Sequence, residues 1–437
     1  MSAFVLRQGL VIGENSSDVL DVFIDEGRLR EVSPRVDVPR GTKEIDAEGC
    51  WVGPGFVDLH THLREPGREE AETIDSGARA GAVGGFSAVV AMPNTEPALD
   101  NAALVSYVLD RGERTLLDVA VAGAITQGRR GELLAPMAEM AALGVRIFTD
   151  DGVGVQDPSL MRRALDYAKP LGVRLAQHCE DEQLAAGGSM NEGALSSRLG
   201  LTGRPALAEE LMVLRDIELV RLTGCPVHFL HLSTARSVAL VVAARLEGLP
   251  VTCEVAPHHF TLDEGCLESF DPTFKVHPPL RGASDVVALR AALVSGAIDA
   301  VATDHAPHAP ELKELPFDEA PPGMLGLEHA ASLTYEALGA DAADPTRFFE
   351  LMSRGPARVA QLRAADVRPR HGAHGATMRA GEDANVVVFD PRERWTARRD
   401  TLESRALNTP YDGRAMVGRV RALVAKGELA VIDGALA

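Results

Sequence analysis

Eight apolar, β-rich runs punctuate the middle of the chain, separated by helix-like stretches. They span residues 51–62, 85–94, 116–125, 145–151, 173–178, 226–233, 250–259 and 298–305. Runs this apolar are expected of parallel strands covered on both faces, and alternation with helices implies βα units. Eight such units close into a (β/α)8 TIM-type barrel, an α/β fold whose chemistry sits at the C-terminal ends of its strands. Those ends carry His60 and His62, Asn94, Asp150 and Asp151, His178, His231, His258 and His259, and Asp304. Only the third run ends without such a residue, on Thr126 and Gln127. A doubly wound open sheet is the competing architecture. No G-x-G-x-x-G follows the first strand, so its dinucleotide-binding form has no support.

The intervening stretches agree. Residues 205–222 show helical periodicity with charges facing outward. Ser233-Thr234 is a helix N-cap signal directly after His231, so that histidine ends a strand and precedes a helix. Toward the termini, residues 4–12, 19–25, 28–32, 385–389 and 419–426 read as short strands, with turns at Gly13 and Glu26-Gly27. Both ends therefore belong to one small β-sandwich domain, 1–52 plus 367–437, interrupted by a barrel over 53–366. The stretch 363–382, rich in Arg, His, Gly and Ala, is the return linker.

A net charge of −19 argues against nucleic acid and anionic membranes as partners, and an anionic substrate would need local Arg or His to overcome it. Five cysteines without C-x-x-C spacing read as core residues in a reducing, cytoplasmic setting. No signal-peptide pattern follows Met1, and no apolar run reaches membrane-spanning length.

Residues two apart on a strand share a face, so His60 and His62 make a half-site for a divalent metal. Asp58 falls on that face and is expected to orient one ring. His228 reads as facing the helices, His305 as pointing away, and His258 and His259 as packed beneath a loop. His371 and His374 read as solvated loop.

Taken together, the fragments Pro54-Gly-Phe-Val-Asp-Leu-His-Thr-His-Leu-Arg-Glu-Pro-Gly67, Met92-Pro-Asn-Thr95, Thr149-Asp-Asp-Gly152, His178-Cys-Glu-Asp181, His231-Leu-Ser-Thr234 and Ala302-Thr-Asp-His-Ala-Pro-His308 resemble the class I dihydroorotases of the amidohydrolase superfamily. The resemblance runs in order over nearly the whole chain. It implies two zinc ions bridged by Asp151 and a hydroxide, with His60, His62 and Asp304 on one ion and His178 and His231 on the other. Many amidohydrolases bridge with a carboxylated lysine from the fourth strand instead. Here that strand reads Val145-Arg-Ile-Phe-Thr-Asp-Asp, and the nearest lysine is Lys169. The same resemblance assigns Arg64, Asn94 and His308 to a substrate carboxylate. It also points to the backbone of Pro322 and Gly323, in a long loop after strand eight, for ring contacts. Where the family usually has Asn before Pro-Pro-Leu-Arg, this chain has His277, and His277 stands as a further substrate contact.

The implied reaction is the reversible cyclisation of N-carbamoyl-L-aspartate to L-dihydroorotate in pyrimidine synthesis, with Asp304 as the catalytic acid–base. A homo-oligomer, with a carbamoyltransferase as a possible partner, is the expected assembly. Two alternatives stand beside it. An allantoinase or hydantoinase would be expected to carry the strand-four lysine. A non-catalytic homologue scaffolding a carbamoyltransferase would be expected to lose metal ligands.

Overall fold

The computed structural model describes residues 3–14, 16–363 and 371–437. The eight runs become parallel strands: Phe56–Thr61, Phe86–Ala91, Asp118–Gly123, Ile147–Phe148, Arg174–Gln177, Val227–Phe229, Val251–Val255 and Ala300–Val301. They pair in sequence order into one sheet. Its ends are drawn together where Thr61 bridges His305 and the His62 N–H donates to the His305 carbonyl at 2.9 Å. Helices follow the strands, among them Ile74–Val83, Ala206–Thr223 and Ala235–Leu246. The architecture is a (β/α)8 barrel.

Strand alternation explains the packing. Val57, Ala88, Val90, Ala120, Ala122, Ala176 and Ala300 share the barrel interior, where eight strands leave room for few large side chains. Their neighbours Phe56, Val89, Val121, Leu175, Phe229 and Val255 face outward into the core shared with the helices. Each fully buried Val, Leu or Phe contributes about 1.5–3 kcal/mol. The Ser233-Thr234 signal holds: the Thr234 side chain accepts from the Ser237 N–H at the start of Ala235–Leu246. Among the described residues no helix is long and apolar enough to cross a membrane.

The first run does not form a single strand. Trp51–Pro54 leaves the barrel and joins a nine-stranded sheet. That sheet takes Phe4–Ile12, Ser17–Asp25, Arg28–Ser33, Lys43–Asp46 and Trp51–Pro54 from one side of the barrel, and Val386–Thr396, Ala415–Ala425, Glu428–Ile432 and Ala435–Leu436 from the other. It is one continuous sheet, sewn together where residues 51–54 run antiparallel to 386–389. Leu6, Val22, Val52, Val386 and Val424 share its core. Lys43–Asp46 carried no apolar signal, and its residues are indeed largely exposed.

Residues 364–370 of the expected linker, and with them the expected boundary at 366/367, lie outside the described residues. The part beyond them is not solvated loop. His374 is buried, with Nδ1 2.9 Å from Ser87 Oγ and Nε2 2.8 Å from Asp118 Oδ2. The Gly372 N–H donates to the same carboxylate at 3.0 Å, and His371 Nδ1 lies 3.9 Å from it. Burial pushes the Asp118 carboxyl up, but His371 and His374 outweigh it and hold the group below the usual carboxylate range. Asp118 begins the third barrel strand, so the linker is pinned to the barrel's N-terminal face.

Asp118→Ala should therefore lower stability by about 1–3 kcal/mol, because it leaves buried donors unpaired. Denaturant midpoints measure this. Metal content should not change, since the cluster lies at the opposite end of the strands from the metal-binding residue types.

Candidate metal centre

Six side chains from five strand ends meet at the C-terminal mouth of the barrel: His60, His62, Asp151, His178, His231 and Asp304, all buried. Two of them, His231 (φ 29°) and Asp304 (φ 46°), have left-handed backbone, as does Arg64 (φ 59°) beside them. Non-glycine residues held there cost about 1–3 kcal/mol each and persist where surrounding contacts over-determine them, as at functional sites.

Asp151 is the common member. Its Oδ1 lies 3.3 Å from His60 Nε2, 3.4 Å from His178 Nδ1 and 3.5 Å from His231 Nε2, and its Oδ2 lies 3.6 Å from His62 Nε2. Two overlapping groups result, His60–His62–Asp151 and Asp151–His178–His231, each with donor atoms within 4.8 Å of one another. Asp304 Oδ1 stands 3.2 Å from His62 Nε2 and 3.6 Å from His60 Nε2. His60 Nε2 and Asp151 Oδ1 are buried with no hydrogen-bond partner. Such atoms are costly unless a ligand satisfies them.

The charges point the same way. Burial alone would raise the Asp151 carboxyl, but the charge of His60 and the contacts with His178 and His231 hold it well below its ordinary range. Burial likewise opposes protonation of His60, and Asp151 overrides it, drawing that imidazole well above its usual value. Burial would also raise Asp304, yet the contact with His62 and the charge of His60 hold it below the usual carboxylate range. A cluster of ionised carboxylates and imidazole lone pairs fits divalent cations, and His nitrogen with carboxylate oxygen is a donor set that suits zinc.

The tautomers fit as well. The His62 Nδ1–H donates to Asn94 Oδ1 at 2.8 Å, and His60 Nδ1 lies 3.1 Å from Glu254 Oε1, so each ring turns Nε2 toward Asp151. Glu254 continues to His228 Nε2 at 2.9 Å, whose Nδ1 meets Thr252 Oγ1 at 2.8 Å. Burial pushes Glu254 up, but His228 and His60 bring it down to about 2. The sequence reading missed Glu254 and placed His228 on the helix side; both face the barrel interior. Asp58 was expected to orient a ring. It binds Thr303 instead, at 2.7 Å through the Thr303 N–H and hydroxyl, and also Thr61.

Asp150 points elsewhere. Its Oδ1 accepts the Ile125 and Thr126 N–H groups at 2.9 and 3.0 Å, joining the third and fourth strand ends. Lys169 donates to the Thr223 carbonyl at 2.6 Å and is not part of the site. His258 Nε2 is buried without a hydrogen bond, 3.9 Å from Asp304 Oδ2. His259 Nε2 donates to the Pro278 carbonyl.

At the rim, Arg64 is buried and its Nε donates to the Pro307 carbonyl at 3.0 Å. Asn94 Nδ2 lies 3.5 Å from Asp151 Oδ2. His308 Nε2 donates to the Pro322 carbonyl at 2.8 Å, and burial with Arg64 nearby pushes that ring down to about 2. The Gly323 N–H is committed to the Lys275 carbonyl at 2.8 Å, so Pro322 and Gly323 offer a ligand only carbonyl lone pairs. His277 lines a cavity of about 190 Å³ with His178, Glu180 and Arg204. Its Nε2 is unpartnered, and burial and then Arg204 push it down to about 3.

Residues 49–237 match the family model described as dihydro-orotase-like. The chain is 44% identical to the dihydroorotase of Mycobacterium tuberculosis over 95% of each chain, and 44% identical to that of Pelotomaculum thermopropionicum over 94% of each. Among solved structures it resembles the L-hydantoinase (dihydropyrimidinase) of Arthrobacter aurescens, with a TM-score of 0.88, 22% identity and coverage of 100% of this chain and 98% of that one. It also resembles the D-hydantoinase (dihydropyrimidinase) of a Thermus species, with a TM-score of 0.83, 25% identity and coverage of 99% and 96%.

Glu254→Gln keeps the shape of the side chain but removes the charge between His60 and His228. Metal affinity should fall roughly 10–100-fold. Chelator competition followed by metal analysis reads this out, and wild-type retention would show that Glu254 does not support the ligand.

Proposed function

Because the chain belongs to the dihydroorotase family, we propose that its barrel mouth interconverts N-carbamoyl-L-aspartate and L-dihydroorotate, a step of pyrimidine synthesis. It is a cyclic amide hydrolase. One observation carries the site assignment: a single carboxylate, Asp151, is shared by two groups of imidazoles, with Asp304 set against one of them. We assign His60, His62 and Asp304 to one zinc ion, His178 and His231 to a second, and Asp151 to the bridge between them. When bound, such ions supply Lewis acidity, which lowers the pKa of a water and polarises an amide carbonyl.

The chain's own residues do the rest. Asp304, held ionised, accepts the proton of the attacking water and returns it to the amide nitrogen as the ring opens. Closing the ring runs the same transfer backwards. Arg64 presents a planar guanidinium, and Asn94 its amide N–H, to the carboxylate that both substrates carry. Held there, the reacting carbonyl meets Asp304 in register. His308 acts on this seat by holding Pro322, and with it Gly323, against the mouth. His277, neutral and unpartnered, faces the substrate from the side of His178.

The same reading divides the chain into a small β domain, 1–52 plus 367–437, and a catalytic barrel, 53–366, with the strand Trp51–Pro54 of the small domain running across the first boundary. It includes a cytoplasmic homo-oligomer, with which a carbamoyltransferase associates. The five unpaired cysteines support a reducing compartment.

Purified protein should consume L-dihydroorotate, followed by ultraviolet absorbance, and should leave hydantoin and allantoin largely untouched. Faster turnover of either control would replace the proposal with a hydantoinase-type activity. Asp304→Asn should keep the fold and lose roughly 10²–10⁴-fold in kcat. Near-normal turnover at full metal occupancy would show that another group carries the proton.

A further inference from the structure

Asn94 and Glu254 hold the far nitrogens of His62 and His60, but the other two imidazoles are held less closely. His231 Nδ1 is buried without a hydrogen bond, and His178 Nε2 lies 3.9 Å from Glu180 Oε2. Their placement depends on the turns that follow them, which carry Ser233 and Thr234 in one case and Glu180 in the other. Glu209, in the first turn of the helix Ala206–Thr223, accepts the Ser233 and Thr234 N–H groups at 3.1 Å and also binds both hydroxyls. Arg204 pairs with Glu180 and donates through Nε to the Gly188 carbonyl at 2.7 Å.

Arg281 joins these two turns. It is among the largest fully buried side chains and stands one residue before Gly282, the N-cap of the helix Ala283–Ser295. Its Nε donates to Ser233 Oγ at 2.9 Å, and its Nη1 to Asn191 Oδ1 and the Arg204 carbonyl, both at 3.0 Å. Nη2 has no hydrogen bond and faces Glu209 Oε2 at 3.9 Å. A planar guanidinium reaches several acceptors at fixed angles, which a lysine ammonium cannot copy. Among the described residues, none of these contacts is with the strand ends that carry His60, His62 and Asp304. We propose that Arg281 is a positioning residue for the metal site of His178 and His231, whose facing nitrogens stand 3.0 Å apart. It fixes the two turns relative to each other and leaves the site of His60, His62 and Asp304 independent. The inference rests on the two-ion assignment made above.

Zinc titration of metal-free protein under chelator competition tests this in the wild-type, Arg281→Met and Arg281→Lys forms. Wild-type protein should bind two ions. Each variant should hold one with wild-type affinity and the other roughly 10–100-fold more weakly, the usual cost of losing a group that supports a ligand. Cobalt(II) then identifies the weakened site. The absorption spectrum of one-ion Arg281→Met should match that of His178→Ala and differ from that of His60→Ala. A role in stability alone would lower the denaturant midpoint and weaken both ions alike. That result, or undiminished binding of both ions, would overturn the proposal. If Arg281→Met does not fold, Ser233→Ala removes one anchor, keeps the buried charges, and should show the same selective loss to a smaller degree. Wild-type protein that binds a single ion would overturn the two-ion assignment, and with it the site that Arg281 serves.

Discussion

A buried carboxylate surrounded by four imidazoles must be balanced by positive charge, and the mouth of this barrel is organised around that requirement. Asp151 is held ionised although it is fully buried, and His60 is drawn toward its charged form in response. Proton sharing of this kind is the poorer solution, since atoms such as His60 Nε2 and Asp151 Oδ1 remain without hydrogen bonds. A divalent metal bound there would satisfy the lone pairs and the charge together. The surrounding contacts prepare the site for it. Asn94 and Glu254 take the far nitrogens of His62 and His60, which leaves the near ones as acceptors.

Strand geometry makes this convergence possible at modest cost. Parallel strands end together at one face of the barrel, so residues far apart in sequence arrive within a few ångströms without long loops. The last step is made by backbone strain: Asp304 and His231 sit in left-handed conformations just past their strands. Asp58 fixes the first of these from below, by binding the N–H and hydroxyl of Thr303 next to Asp304. Asp304 is thus positioned by a buried network rather than by a mobile loop.

How much of this the sequence disclosed depends on the signal each residue left. The barrel strands were legible because they are buried on both faces and so read as continuous apolar runs. The metal-binding residue types were legible because they punctuate the ends of those runs. Glu254 was not, since a lone acid within Val-Thr-Cys-Glu-Val gives no hint that it faces inward. His228 was misplaced for a definite reason. Counting three residues back from His231 assumes regular alternation, but the strand stops at Phe229 and His231 is left-handed, so the parity is lost. His371 and His374 looked solvated because glycine surrounds them, and only the distant Asp118 reveals their burial. Gly55 hid the split in the first run, where one apolar stretch serves two sheets.

That split has a consequence for how the molecule is made. Residues 51–54 find their antiparallel partner only at 386–389, after the whole barrel has been synthesised. At about 5–20 residues per second, the strand waits roughly 20–60 s on the ribosome with one edge unpaired. An exposed edge invites pairing with other chains. During that interval the nascent protein depends on the newly folded barrel, or on a chaperone, to shield the seam. Strands made after the barrel therefore complete a sheet that strands made before it began.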